Sequence, residues 1–190
     1  LRGKSRREID LIRVAAKFVG GEERSWLVAT TAAIGYAADV VELANAYLKA
    51  LGPFCYPIGS VIQVGLQRSI NGRWSSNGKS PKSLDATNLL INNTKYAGDF
   101  EVFPKASCFD GKMNVLLAKP GFFGQILHNI SVLSRMHFFA SGESFEAETL
   151  TCELEEERML MLDGEIVPGI VEVAFSVESR CLRVIAPDLD

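Results

Sequence analysis

The sequence predicts a mainly β domain, an antiparallel sandwich or barrel carrying a few helices. Three observations predict it. Short runs with apolar and polar alternation recur along the chain, turn residues punctuate them, and the strand–helix–strand rhythm of a parallel sheet is missing. At 190 residues and 47% hydrophobic content, with eleven Phe, the chain suits one domain with a substantial core.

Taken in order, residues 1–8 are basic (Arg2, Lys4, Arg6, Arg7) and read as a solvated linker. Residues 26–34 are largely apolar and stop at Gly35, as a buried strand would. From 39 to 51 the period changes. Val40, Val41, Ala44, Tyr47, Leu48 and Leu51 share one helical face, closed by Gly52-Pro53. A second helix is read over 58–70 from similar spacing. Residues 71–81 carry turn residues throughout and read as a loop. Residues 85–92 and 112–118 read as strands, and 125–136 as a short amphipathic helix. Leu150, Cys152 and Leu154 alternate with polar residues, as do Val171, Val173, Phe175 and Val177, and 182–185 closes the set.

Composition excludes several classes. A net charge of −3 offers no broad basic surface for a nucleic acid. Four isolated cysteines without a CxxC pair, and only two histidines, argue against zinc. The cysteines read as reduced core thiols, and no secretory signal opens the chain, so a cytoplasmic setting is expected. Neither a P-loop, a GxGxxG nor a GxSxG is present.

Two Asp-Gly pairs remain. In Met159-Leu160-Met161-Leu162-Asp163-Gly164-Glu165 two carboxylates flank a glycine after four apolar residues. Asp-Gly between apolar runs is a strong hairpin signal, because both residues accept the positive φ of a type I′ turn. The alternative is a carboxylate delivered to a reacting centre. Asp110-Gly111 poses the same choice.

The ordered motifs resemble the C-terminal domain of the diacylglycerol kinase family of lipid kinases, the bacterial type related to sphingosine and ceramide kinases and more distantly to NAD kinase. Four stretches carry the resemblance: Ile34-Gly35-Tyr36-Ala37-Ala38-Asp39-Val40, Asn92-Asn93-Thr94-Lys95-Tyr96-Ala97-Gly98-Asp99-Phe100, Pro104-Lys105-Ala106-Ser107-Cys108-Phe109-Asp110-Gly111-Lys112-Met113-Asn114-Val115, and Leu162-Asp163-Gly164-Glu165 with the strands ending at Val184-Ile185-Ala186-Pro187. It extends from about Ile9 to Pro187. The segment at Ala97-Gly98-Asp99 has fewer glycines than is usual in the family, and Thr31 and Ala32 stand where Ser and Asn often do.

The resemblance implies a β-sandwich that forms the lipid-side domain of a two-domain kinase, with 1–190 as that single domain. The partner domain would carry a Gly-Gly-Asp-Gly-Thr loop for ATP, which this sequence lacks, so the isolated chain is expected to be inactive. It further implies Glu165 as proton acceptor, Asp163 as its positioner or a contact to the nucleotide's metal, and Gly164 as the point where a phosphate approaches. A structural Mg²⁺ would sit at Asp110 with carbonyls of Ser107 and Lys112. Residues 53–66, with the helix before them, are the candidate wall of an acyl cleft, or simply core. Asn92 and Asn93 either meet a polar headgroup or cap a turn. The implied partners are a lipid substrate (diacylglycerol by default, sphingosine, ceramide or monoacylglycerol otherwise), a membrane touched peripherally and a second copy of the chain. A non-catalytic lipid-binding homologue and a NAD-phosphorylating kinase are the competing readings.

Overall fold

A computed structural model describes residues 4–66, 68–98, 100–119 and 142–187. The helix expected over 125–136, with His128 and His137, lies outside the described residues. The strands are β1 (Lys4–Phe18), β2 (Glu23–Val28), β3 (Thr31–Gly35), β4 (Ile70–Ser76), β5 (Lys82–Ala86), β6 (Asn88–Asn92), β7 (Tyr96–Ala97), β8 (Phe100–Glu101), β9 (Met113–Ala118), β10 (Gly142–Ala147), β11 (Thr149–Leu162) and β12 (Glu165–Pro187). Two α-helices, α1 (Tyr36–Leu43) and α2 (Cys55–Val64), lie between β3 and β4.

Ten of these strands form an antiparallel sheet in the order β10-β9-β6-β3-β11-β12-β1-β2, with β4 also on β11 and β5 on β4, while β7 and β8 pair with each other. Strand β11 makes the sandwich possible. Its first half (149–154) pairs with β4, its end (160–162) pairs with β3, and the register against β12 shifts between Glu153 and Leu160. One bent strand thus serves both layers. Trp74 of β4 stacks on Phe145 of β10, centroids 5.1 Å apart, although these strands are not neighbours in the sheet. The main core lies between the layers and includes Ile12, Val14, Ile34, Leu89, Ile91, Val115, Leu160 and Phe175. A second cluster (Ala33, Ala38, Leu90, Phe103, Ala106, Met161) packs on the opposite face of β3, β6 and β11. Strand β3 is therefore buried on both faces, which is why its text is a continuous apolar run.

Several expectations are corrected. Residues 4–8 are no linker: β1 begins at Lys4 and pairs with β12 as far as Pro187. The strand expected over 26–34 is two strands, parted at Ala29-Thr30. The helix expected over 39–51 is α1, followed by a π turn (Ala44–Leu48) and a 3₁₀ stretch (Lys49–Phe54). The second helix covers Cys55–Val64 instead of 58–70. The supposed loop at 71–81 is largely strand β4, because cross-strand pairing with β11 and burial of Trp74 outweigh local turn propensity. Gly72 permits this approach, since a Cβ there would collide with the Glu153 carbonyl. The strand expected over 85–92 breaks at Thr87 into β5 and β6. Cys152 is buried, but Cys181 is exposed and not a core thiol.

Residues 53–66 are not simply core. Tyr47, Phe54, Val61 and Leu66 are 77%, 68%, 59% and 63% exposed, so this helical layer presents an apolar outer surface. Among the described residues no helix is long and apolar enough to cross a membrane.

Gly35 launches the helical layer. Its φ is +85°, and a Cβ would lie 2.5 Å from the Thr87 carbonyl oxygen. That carbonyl accepts the Tyr36 N–H (3.0 Å), and Asn88 Oδ1 accepts the Ala37 N–H (3.1 Å), so the first amides of α1 are satisfied by β6 and the residue before it. Gly35→Ala is expected to destabilise the domain by about 2 kcal/mol or more, read as a lowered midpoint in urea unfolding.

Candidate functional site

The Asp163-Gly164 pair is a two-residue hairpin joining β11 to β12, with Leu162 opposite Glu165. Asp163 has φ +46° and Gly164 φ +94°, the double positive φ of a type I′ turn. The turn reading is therefore correct. The same turn also borders a pocket of about 620 Å³, lined by Asp163, Gly164, Glu165, Glu42, Asn45, Lys49 and Tyr56 among others. The π turn after α1 supplies Asn45, whose Nδ2 donates to the Gly164 carbonyl at 3.4 Å.

The two acids do different things. Asp163 is engaged: Oδ2 accepts the Ala29 N–H (2.8 Å), and Oδ1 accepts the N–H groups of Thr30 (2.9 Å) and Thr31 (2.9 Å) and the Thr30 hydroxyl (2.6 Å). Its own N–H donates to the Thr31 carbonyl (2.8 Å). Burial pushes this carboxyl up, but the Thr30 hydroxyl and the amides of Thr31, Ala29 and Thr30 outweigh it and hold the pKa below the usual 3.8. Glu165 is exposed on the pocket wall, and among the described residues its carboxylate has no hydrogen-bond partner. One acid is built into the scaffold and its neighbour is left available.

The Asp110 turn is separate from this pocket. Asp110 is exposed; Oδ1 accepts the Lys112 N–H (3.0 Å), and Ser107 Oγ accepts the Phe109 N–H (3.3 Å). The Lys112 ammonium is turned to Glu146 (2.8 Å), so only its carbonyl is a candidate ligand. Among the described residues no group of three or more His, Cys, Asp or Glu could hold a metal. One free carboxylate oxygen with backbone carbonyls fits a magnesium ion that keeps most of its waters, and fits a soft metal poorly.

Asp10 escaped the sequence reading. It is 1% exposed, and its carboxylate accepts the Gly111 and Arg180 N–H groups, each at 2.8 Å. The only signal in the text is a lone acid inside Ile9-Asp10-Leu11-Ile12. Asn92 caps a turn, its Nδ2 donating to the carbonyls of Thr94 (3.2 Å) and Tyr96 (2.9 Å). Glu42, Asn45, Lys49 and Tyr56 were not singled out either, because no local pattern links them to residue 163.

The antiparallel fold, with an acidic hairpin beside a helical layer, is that of a known domain family. The chain belongs to the YegS C-terminal NAD kinase beta sandwich-like domain family, whose model matches residues 30–186. Two similar solved structures come from Bacillus anthracis str. Sterne. One, described as "a putative diacylglycerol kinase", is 18% identical with a TM-score of 0.66. The other, described as a diacylglycerol kinase, is 17% identical with a TM-score of 0.65. Each match covers 94% of this chain and 56% of the other, so the chain spans just over half the length of these structures. No curated protein sequence matches it.

Proposed function

We propose that this chain is the lipid-side, C-terminal domain of an ATP-dependent kinase that transfers the γ-phosphate to a lipid hydroxyl, with diacylglycerol the default acceptor and phosphatidic acid the product. The observation that carries the reading is the division between the engaged Asp163 and Glu165, which has no hydrogen-bond partner among the described residues and borders a polar pocket. The exposed apolar residues of the adjoining helical layer supply the surface a lipid chain or a membrane would meet.

In this mechanism the acceptor oxygen attacks the γ-phosphorus, its bond to the ADP oxygen breaks, and the hydroxyl proton passes to the Glu165 carboxylate. Asp163 takes no proton; it fixes the turn that aims Glu165. Gly164 offers no Cβ, and nothing would stand within 4 Å of one, so a phosphate can approach the backbone. Magnesium, when bound with the nucleotide, neutralises phosphate charge. At the Asp110 turn a hydrated magnesium would be held by the Asp110 carboxylate and the Ser107 and Lys112 carbonyls, and would order that turn without touching the reaction.

The test is phosphatidic acid formation from ATP and diacylglycerol vesicles, by the protein carrying this domain together with a nucleotide-binding domain. Sphingosine and ceramide serve as alternative acceptors. The 190 residues alone are expected to turn over no ATP, since they contain no nucleotide loop; robust turnover by them would refute the two-domain account.

A further inference from the structure

The segment Ala29-Thr30-Thr31 is gripped from two sides. All three of its N–H groups go to the Asp163 carboxylate, and the Thr31 carbonyl takes the Asp163 N–H. The other two carbonyls belong to Asn93: its N–H donates to Thr30 O (2.9 Å) and its Nδ2 to Ala29 O (3.2 Å). The second Nδ2 proton goes to the carbonyl of Asp10 at 2.6 Å. Asp10 in turn holds the second turn from both directions, its carboxylate on the Gly111 N–H and its own N–H on the Cys108 carbonyl (2.8 Å).

Among the described residues these links form one hydrogen-bonded path from the acidic hairpin to the Asp110 turn, and Asn93 is its bridge. The side chain is fully buried. Two carbonyl acceptors require two protons from one neutral group, which an amide supplies and a carboxylate or hydroxyl does not. Among the described residues Asn93 Oδ1 has no partner, so the two carbonyls set the amide's orientation. The Asn93–Asp10 link is buried, where a polar group that loses its partner is costly, so it holds the path more firmly than the solvent-accessible bonds at the two ends.

We propose that Asn93 is the positioning residue for the Asp163-Gly164-Glu165 hairpin, and that through Asp10 it couples this hairpin to the Asp110 turn. Asn93 touches no reacting atom; it sets the peptide groups on which Asp163 sits. Only the activity arm of the test rests on the lipid-kinase reading.

Asn93→Asp keeps the shape but turns a two-proton donor into a carboxylate facing two carbonyls; acid returns one donor by protonation. In this variant at neutral pH, the amides of Ala29, Thr30, Thr31 and Gly111 are expected to exchange with deuterium about 10-fold faster or more, while Leu89 and Val115 in the core strands keep wild-type protection. Asn92→Asp, the same change one residue away with its amide on the Thr94 and Tyr96 carbonyls, lies opposite Thr31 in the β3–β6 register and should leave the Ala29 and Thr30 amides alone. In the two-domain protein, Asn93→Asp should lower kcat by about 10- to 100-fold at pH 8 with KM for ATP unchanged. The deficit should shrink towards pH 5.5 relative to wild type. Asn93→Ser, smaller and with one donor, should loosen the same amides less and replaces the aspartate variant if that does not fold. Wild-type protection at 29–31 and 111, or loosening no greater than in the core strands, would overturn the proposal. A wild-type protein inactive on every lipid alcohol would sink the kinase reading instead, and the exchange result would then decide the coupling alone.

Discussion

Glu165→Gln is expected to cut phosphoryl transfer to diacylglycerol by about 10²–10⁴-fold while leaving the urea midpoint within error of wild type. The two expectations come from one geometry. The Glu165 carboxylate is exposed and, among the described residues, has no hydrogen-bond partner, so replacing it with an isosteric amide removes a proton acceptor and no structural contact. Gln cannot take the hydroxyl proton at any working pH. Loss of kcat with little change in KM would locate the defect in the chemical step. Unchanged turnover would remove Glu165 as the base and favour a lipid-binding domain that has no chemistry of its own.

The second large effect belongs to the other acid and is of the opposite kind. Asp163→Asn should destabilise the domain by about 2–3 kcal/mol, since hydrogen bonds to a charged acceptor are among the stronger ones and four donors converge here. For a chain of this size that is a fall in Tm of roughly 5–10 °C. The pH dependence follows from the lowered pKa. A carboxylate held below its unfolded value of 3.8 contributes its full stabilisation above that value and loses it as pH falls through the folded pKa. The gap between wild type and Asp163→Asn, measured by thermal unfolding, should therefore be full at pH 7 and narrow below about pH 4. A gap independent of pH would mean that the charge of Asp163 does not matter to the turn. Activity should fall as well, because the 29–31 segment and the hairpin lose their common anchor.

These outcomes separate two acids that the sequence presents as equivalents. Leu162-Asp163-Gly164-Glu165 is legible as a hairpin because the turn's demand for positive φ is met locally by Asp and Gly. The continuous apolar run of β3 and the alternation along Val171, Val173, Phe175 and Val177 are equally local, since a strand buried on both faces is apolar throughout and one buried on a single face needs only the two-residue period. The mainly β class and the family resemblance rest on such signals, and the match over 30–186 agrees with them.

What the tertiary structure decided depends on partners distant in the chain. Ala29-Thr30 ends one strand and starts another because a carboxylate more than 130 residues away takes their amides. Residues 71–76 read as turn text, yet β11 pairs with them and buries Trp74, and pairing with a neighbour outweighs weak local preference. The apolar period of the 53–66 segment identifies a helix but not its surroundings, and the fold leaves much of that layer facing outward. Asp10 and Asn93 look like ordinary polar residues until β1, β6 and the Asp110 turn are brought together. Periodicity and turn chemistry are properties of a short window. Which of two neighbouring acids is tied into the scaffold and which stays free is set by the groups that the fold places opposite them.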